Sequence, residues 1–78
     1  MVIWIIGKSG TGKTFFARKL YKELIRRNRK VFWIDGDEFR KFISYDLKYT
    51  TKERKINSGR IQDFCKYLEF KKYLVICS

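Results

Sequence analysis

The stretch GKSGTGKT, Gly7 to Thr14, decides how the rest of the chain is read. It fits GxxxxGK[S/T], in which glycines let successive backbone N–H groups turn inward on anionic oxygens and the following helix adds its positive end. Its flanks matter as much. Ahead of it Met1 to Ile6, MVIWII, is a short apolar run rich in β-branched residues, which predicts a strand buried on both faces. After it the period changes. Phe16, Leu20 and Leu24 recur every four residues beside Ala17, Tyr21 and Ile25, while Arg18, Lys22, Arg26 and Arg29 face elsewhere. That spacing predicts an amphipathic helix from Lys13 to near Asn28. A strand, a glycine loop and a helix are the context the pattern requires. Within it Lys13 is expected to reach the β- and γ-phosphates of ATP, and the Thr14 hydroxyl to bind Mg²⁺. Gly7, Lys8, Ser9, Gly10, Thr11 and Gly12 complete the phosphate cradle, although Lys8 alone reads as a solvated charge.

Further along, VFWI (Val31 to Ile34) predicts a second buried strand, closed by the turn DGD, with a short helix over Glu38 to Ile43. YDLKYT reads as a loop, and Thr50 with Glu53 makes the T-x-x-E pattern of a capping box. Ile61, Phe64, Cys65 and Leu68 at helical spacing extend that helix from Thr51 to Phe70, and YLVIC (Tyr73 to Cys77) is a third buried strand. The order β-α-β-α-α-β predicts an α/β fold with a parallel sheet and helices on both sides, the three-layer P-loop NTPase type. No internal repeat, linker or low-complexity tract divides residues 1–78, which are expected to form a single domain, incomplete because it stops on its third strand.

Composition narrows the function classes. At 78 residues the chain holds one small core, burying about 60–65% of its unfolded surface. Nineteen Lys and Arg against 8 Asp and Glu give a net charge of +11, which points to an anionic partner. The single alanine, the absence of proline and the wealth of Lys, Ile, Phe, Tyr and Asn also fit an AT-rich gene, so charge alone decides little. With no histidine, neither a zinc site nor a His-based triad is available, and Cys65 and Cys77 read as buried thiols of a reducing compartment. No run reaches the ~18 apolar residues of a membrane span, and the start lacks signal-peptide character, so a cytoplasmic protein without a membrane partner is expected.

The second informative stretch is WIDGDEFR, Trp33 to Arg40. Carboxylates at the end of a parallel strand face the crevice where such sheets bind ligands. Without histidine, a carboxylate is the natural acceptor for a hydroxyl proton. Asp37 is the candidate, and it also has the chemistry to order Mg²⁺. The same DGD reads equally as a turn and a helix cap.

GKSGTGKT, DGDEFR, DLKYTTKERKINSGR and YLVICS follow, in order and at close to matching spacing, the first half of adenylylsulfate kinases, and the chain resembles that family over nearly its whole length. The loop motif is generic, whereas DGDxxR with [DE]RxxNxxR is specific. The resemblance implies transfer of the ATP γ-phosphate to the 3′-hydroxyl of adenosine 5′-phosphosulfate (APS), with Mg²⁺, and a strand order 2-3-1. It implies that Asp37 and Lys13 are catalytic, with Asp37 acting at the 3′-hydroxyl. It also implies that Arg40, Arg54 and Asn57 bind APS, and that Tyr49 stacks on its adenine. Arginine forks suit sulfate and phosphate oxygens, and a phenol ring offers a stacking face. Plainer readings stand beside these. Arg40 and Arg54 fit solvated helix positions, Asn57 a surface polar residue, and Tyr49 a core or loop anchor. Lys48 replaces a glycine of the family's DLGF segment, which leaves the loop backbone and the placement of Tyr49 open. The family continues through a serine-proline segment, two more strands and a basic lid. A chain ending at Ser78 is therefore expected to be weak or inactive unless it forms a homo-oligomer or a second chain complements it. Nucleic acid is not an expected partner on this reading. The alternatives are another small-molecule or polynucleotide P-loop kinase, and a non-catalytic nucleotide- or nucleic-acid-binding module.

Overall fold

The computed structural model describes residues 1–7 and 12–78. Six elements follow in the anticipated order: β1 (Val2–Trp4), α1 (Lys13–Arg26), β2 (Val31–Ile34), α2 (Gly36–Phe42), α3 (Thr51–Phe70) and β3 (Leu74–Cys77). The strands form one parallel sheet in the order β1-β3-β2, which is the expected 2-3-1 arrangement. Val2, Ile3 and Trp4 pair with Val75, Ile76 and Cys77, and Val31 to Ile34 pair with Leu74 to Cys77.

The two-residue alternation of strands divides the core in two. Leu74 and Ile76 of β3 join Val31 of β2 and Ala17 of α1 on one face, with Leu20, Tyr21, Leu24 and Trp33 packed around them. Val75 and Cys77 join Ile34, Phe39 of α2 and Ile61, Cys65 and Leu68 of α3 on the other. Every residue of β3 is buried, as a central strand covered on both faces must be.

Three expectations need correction. MVIWII is not buried on both faces, because β1 lies at the sheet edge and the helices pack over β2 and β3. Trp4 is 48% exposed and Ile6 91%. In α1 the buried position belongs to Ala17, whose small side chain lets the helix approach the sheet, so Phe16 and Ile25 turn outward. The short helix expected over Glu38 to Ile43 runs from Gly36 to Phe42 instead, with the first residue of DGD as its cap, as the cap reading has it. The Asp35 side chain accepts the N–H groups of Asp37 and Glu38, at 2.9 and 3.2 Å, and α2 therefore starts at Gly36.

Candidate functional site

The carboxyl ends of the strands are tied together before any functional side chain leaves them. Ser78 N–H donates to the Ile34 carbonyl (3.0 Å), Gly36 N–H donates to the Ser78 carbonyl (2.8 Å), and Trp33 Nε1–H donates to Ser78 Oγ (2.9 Å). A Cβ on Gly36 would stand 3.4 Å from that Ser78 oxygen. This lacing fixes where α2 begins. Asp35 spends its carboxylate on the cap, which leaves Asp37, exposed in the first turn, outside it.

Lys13 opens α1 and Thr14 follows it in the first turn. Gly12 caps this helix in the left-handed region, φ +82°, which an L side chain adopts only under strain. Among the described residues no side chain caps this end and no acidic residue occupies the first turn, which leaves the positive end of the helix unneutralised by them. The anticipated cradle residues Lys8, Ser9, Gly10 and Thr11 lie outside the described residues.

Asp37, Arg40 and Tyr49 line one concavity of about 360 Å³ together with Lys41, Tyr45 and Leu47. Three residues singled out from two separate motifs thus meet. What joins them is the segment between α2 and α3. Arg40 Nη1 donates to the Lys48 carbonyl (2.8 Å), and its guanidinium lies 4.4 Å from the centre of the Tyr49 ring. Lys48 N–H donates to Glu53 Oε2 (2.7 Å), while Thr50 Oγ donates to Glu53 Oε1 (2.8 Å) and accepts Glu53 N–H (3.1 Å). The capping box is therefore present, and its glutamate also holds the loop. Those hydrogen bonds, Lys48 N–H first and Thr50 second, keep the Glu53 carboxyl below its ordinary value. Arg60 closes the other side with a fork onto Asp46 at 2.7 and 2.9 Å, which lowers the Asp46 pKa and raises that of Arg60. Lys48 needs no glycine-like backbone: among the described non-glycine residues, positive φ occurs at Asn28 and Lys72. Tyr49 presents its ring outward at 68% exposure, which rules out the reading of a core anchor.

Arg54 is exposed on α3 and does not line this concavity. Asn57, one turn on, is 5% exposed, and its Oδ1 has no hydrogen-bond partner among the described residues, so it is not a surface polar residue. The sequence reading did not single out Lys41, Tyr45 and Leu47 as lining residues: Lys41 and Tyr45 lie between the two motifs, and Leu47 lies inside DLKYTTKERKINSGR without a polar group to mark it. A larger concavity of about 410 Å³, lined by Phe39, Ile43, Arg60, Asp63 and Phe64, offers an apolar wall with one charge of each sign, and its arginine is already forked onto Asp46. Among the described residues no group of three or more acidic or thiol side chains is placed to hold a metal.

Comparison with known proteins gives this geometry a context. The family model described as adenylylsulphate kinase matches residues 1–78. The adenylyl-sulfate kinase of Deinococcus deserti is 43% identical over 60 residues, covering 77% of this chain and 33% of that protein. That of Halothermothrix orenii is 32% identical over all 78 residues, which are 42% of its length. The Mycobacterium tuberculosis APS kinase solved with AMPPNP and APS superposes with a TM-score of 0.92 at 26% identity, over 97% of this chain and 44% of that one. The chain thus spans about a third of the length of the first of these relatives and about two-fifths of the second.

Proposed function

The chain belongs to the adenylylsulphate kinase family, and from that premise we propose that it carries the ATP- and APS-binding halves of a kinase that phosphorylates the 3′-hydroxyl of APS. The observation that carries this reading is the meeting of Asp37, Arg40 and Tyr49 in one concavity beside the carboxyl ends of the strands. In the proposal, residues 7–14 hold the phosphates of ATP and Lys13 neutralises charge on the transferring phosphoryl. Tyr49, backed by Arg40, stacks on the adenine of APS. Arg40, Arg54 and the open acceptor of Asn57 address its phosphosulfate and ribose. Asp37 takes the proton of the 3′-hydroxyl as the new O–P bond forms and the bond between the β,γ-bridging oxygen and the γ-phosphorus breaks.

The residues present fit magnesium. The Thr14 hydroxyl and the Asp37 carboxylate are exposed hard oxygen donors in the first turns of their helices, and Mg²⁺ takes few protein ligands, completing its shell with phosphate oxygens and water. Bound there, the ion supplies positive charge to the phosphate oxygens. Catalysis of this kind rests on positioning and electrostatics, so the residues of this chain account for binding more fully than for turnover. The proposal extends to a cytoplasmic setting and to completion of the site by a homo-oligomer or a second chain.

The test is equilibrium titration of the chain with Mg·ATP and with APS, beside Lys13→Ala and Arg54→Ala. A charge-assisted hydrogen bond contributes roughly 1.5–3 kcal/mol. Lys13→Ala should therefore weaken ATP about ten- to hundred-fold while sparing APS, and Arg54→Ala should do the reverse. Binding of both ligands that ignores both substitutions would remove this reading.

A further inference from the structure

The net charge of +11 is unevenly placed, and the proposed kinase site does not use most of it. In a parallel sheet the turns that enter the strands lie at the end opposite the carboxyl crevice. Here those turns are the α1–β2 segment, which carries Arg29 and Lys30, and the α3–β3 segment, which carries Lys71 and Lys72. Adjacent strands bring them together. Leu74 N–H donates to the Lys30 carbonyl (2.7 Å), and Lys30 Nζ donates to the Lys71 carbonyl (2.9 Å). The acidic residues nearby are already engaged. Glu23 binds Arg26 at 2.7 Å and Arg27 at 3.0 Å, and Glu69 binds the Met1 ammonium at 2.8 Å. Favourable placement at helix carboxyl ends accounts for Arg26, Arg27 and Lys71, but Arg29, Lys30 and Lys72 stand beyond those ends.

Aromatic rings are interleaved with these cations. On the last turns of α3 the helical spacing sets Lys66 beside Phe70 and Tyr67 beside Lys71. Phe70 is 75% exposed and Tyr67 54%. Lys71 Nζ lies 5.9 Å from the centre of the Tyr67 ring, and Lys30 Nζ lies 4.4 Å from that of Tyr73. Cations alone would suit any polyanion. Cations beside an exposed ring such as Phe70 suit a polyanion whose flat bases are free to stack, which a duplex or a lipid headgroup layer does not offer; Tyr67 is already stacked on Phe64, with centroids 6.4 Å apart and planes 11° from parallel.

We infer that this end of the molecule is a second binding surface, for single-stranded nucleic acid, with Arg29, Lys66, Lys71 and Lys72 on the phosphates and Phe70 stacking on a base. It is independent of the kinase reading. Fluorescence anisotropy of a labelled oligothymidylate of about fifteen nucleotides tests it, beside a duplex of equal length and vesicles of anionic phospholipid. The expected result is saturable binding to the single strand. The log–log salt slope should be roughly −3, since each phosphate contact contributes about −0.7. The double variant Arg29→Glu, Lys71→Glu should weaken binding at least tenfold and flatten that slope. Phe70→Ala should weaken the single strand about five-fold or more and leave the duplex unchanged. Lys13→Ala, at the other end of the sheet, should change neither affinity nor slope. Absence of binding, equal binding to duplex and vesicles with no response to Phe70→Ala, or insensitivity to the charge reversals would each overturn the proposal.

Discussion

Lys72 holds a backbone conformation that costs an L-residue free energy, φ +70°, at the turn that ends α3. The turn is well made: Lys72 N–H donates to the Glu69 carbonyl and Tyr73 N–H to the Leu68 carbonyl, both at 2.9 Å. This is the glycine-favouring stop for a helix, filled by a residue with a Cβ. The end of α1 repeats the geometry with Asn28 at φ +58°, and asparagine tolerates that region better. Lys72→Gly should therefore stabilise the fold by about 1 kcal/mol, which in a domain of this size raises the thermal midpoint by about 4–8 °C. Asn28→Gly should give clearly less. Thermal unfolding followed by circular dichroism reads both, and equal shifts would refute the argument from side-chain type. No glycine marks the end of α3, so the conventional sign of this stop is missing from the sequence, although the switch from helical period to YLVIC still locates it.

The segment between α2 and α3 behaves as an element, because two carboxylates clamp it to α3. Glu53 holds Lys48 N–H and Thr50, and Asp46 takes the Arg60 fork. Both carboxyls sit below their ordinary values, 4.5 and 3.8, so protons bind more weakly in the folded state than in the unfolded one. The stability they contribute is present in full above those ordinary values and is lost as the pH falls through the lowered ones. A thermal-midpoint profile from about pH 6 to about pH 2.5 should decline at its acid end. Glu53→Gln should flatten that decline, and a variant profile parallel to the wild type would show that the clamp contributes nothing. The capping box could be read four residues at a time, and with it the start of α3. The grip of Glu53 on Lys48 and the pairing of Asp46 with Arg60 across 14 positions could not, since tertiary packing alone brings them within reach. The same holds for Cys65 and Cys77. Their burial was legible from apolar neighbours, whereas the 3.4 Å between their sulfurs, and the burial that pushes Cys77 up to about 12, came from packing α3 on β3.

At the scale of the molecule the strand order leaves β1 open along one side. Parallel pairing commits alternate residues to β3, with Val75 N–H on the Met1 carbonyl and Ile5 N–H on the Cys77 carbonyl, so the backbone groups of Val2 and Trp4 face outward. Trp4 and Ile6 are exposed beside them. Periodicity announces an apolar strand here and reads it as buried on both faces; it is the strand order 2-3-1 implied by the resemblance that leaves this strand as a bare apolar edge, which is where it lies. Two terms then oppose each other. An apolar open edge favours pairing with another chain, while a net charge of +11 repels a second copy. Salt acts on only one of them: the screening length falls from about 30 Å at 0.01 M to about 8 Å at 0.15 M, and apolar burial is unaffected or strengthened. Self-association should therefore increase with salt. Sedimentation velocity across that range should show a rising weight-average coefficient, and Trp4→Lys, which puts a charge on the edge, should hold the chain monomeric throughout. Association that weakens with added salt, or that ignores Trp4→Lys, would mean that charge pairing elsewhere on the surface, not the open edge of β1, joins the copies.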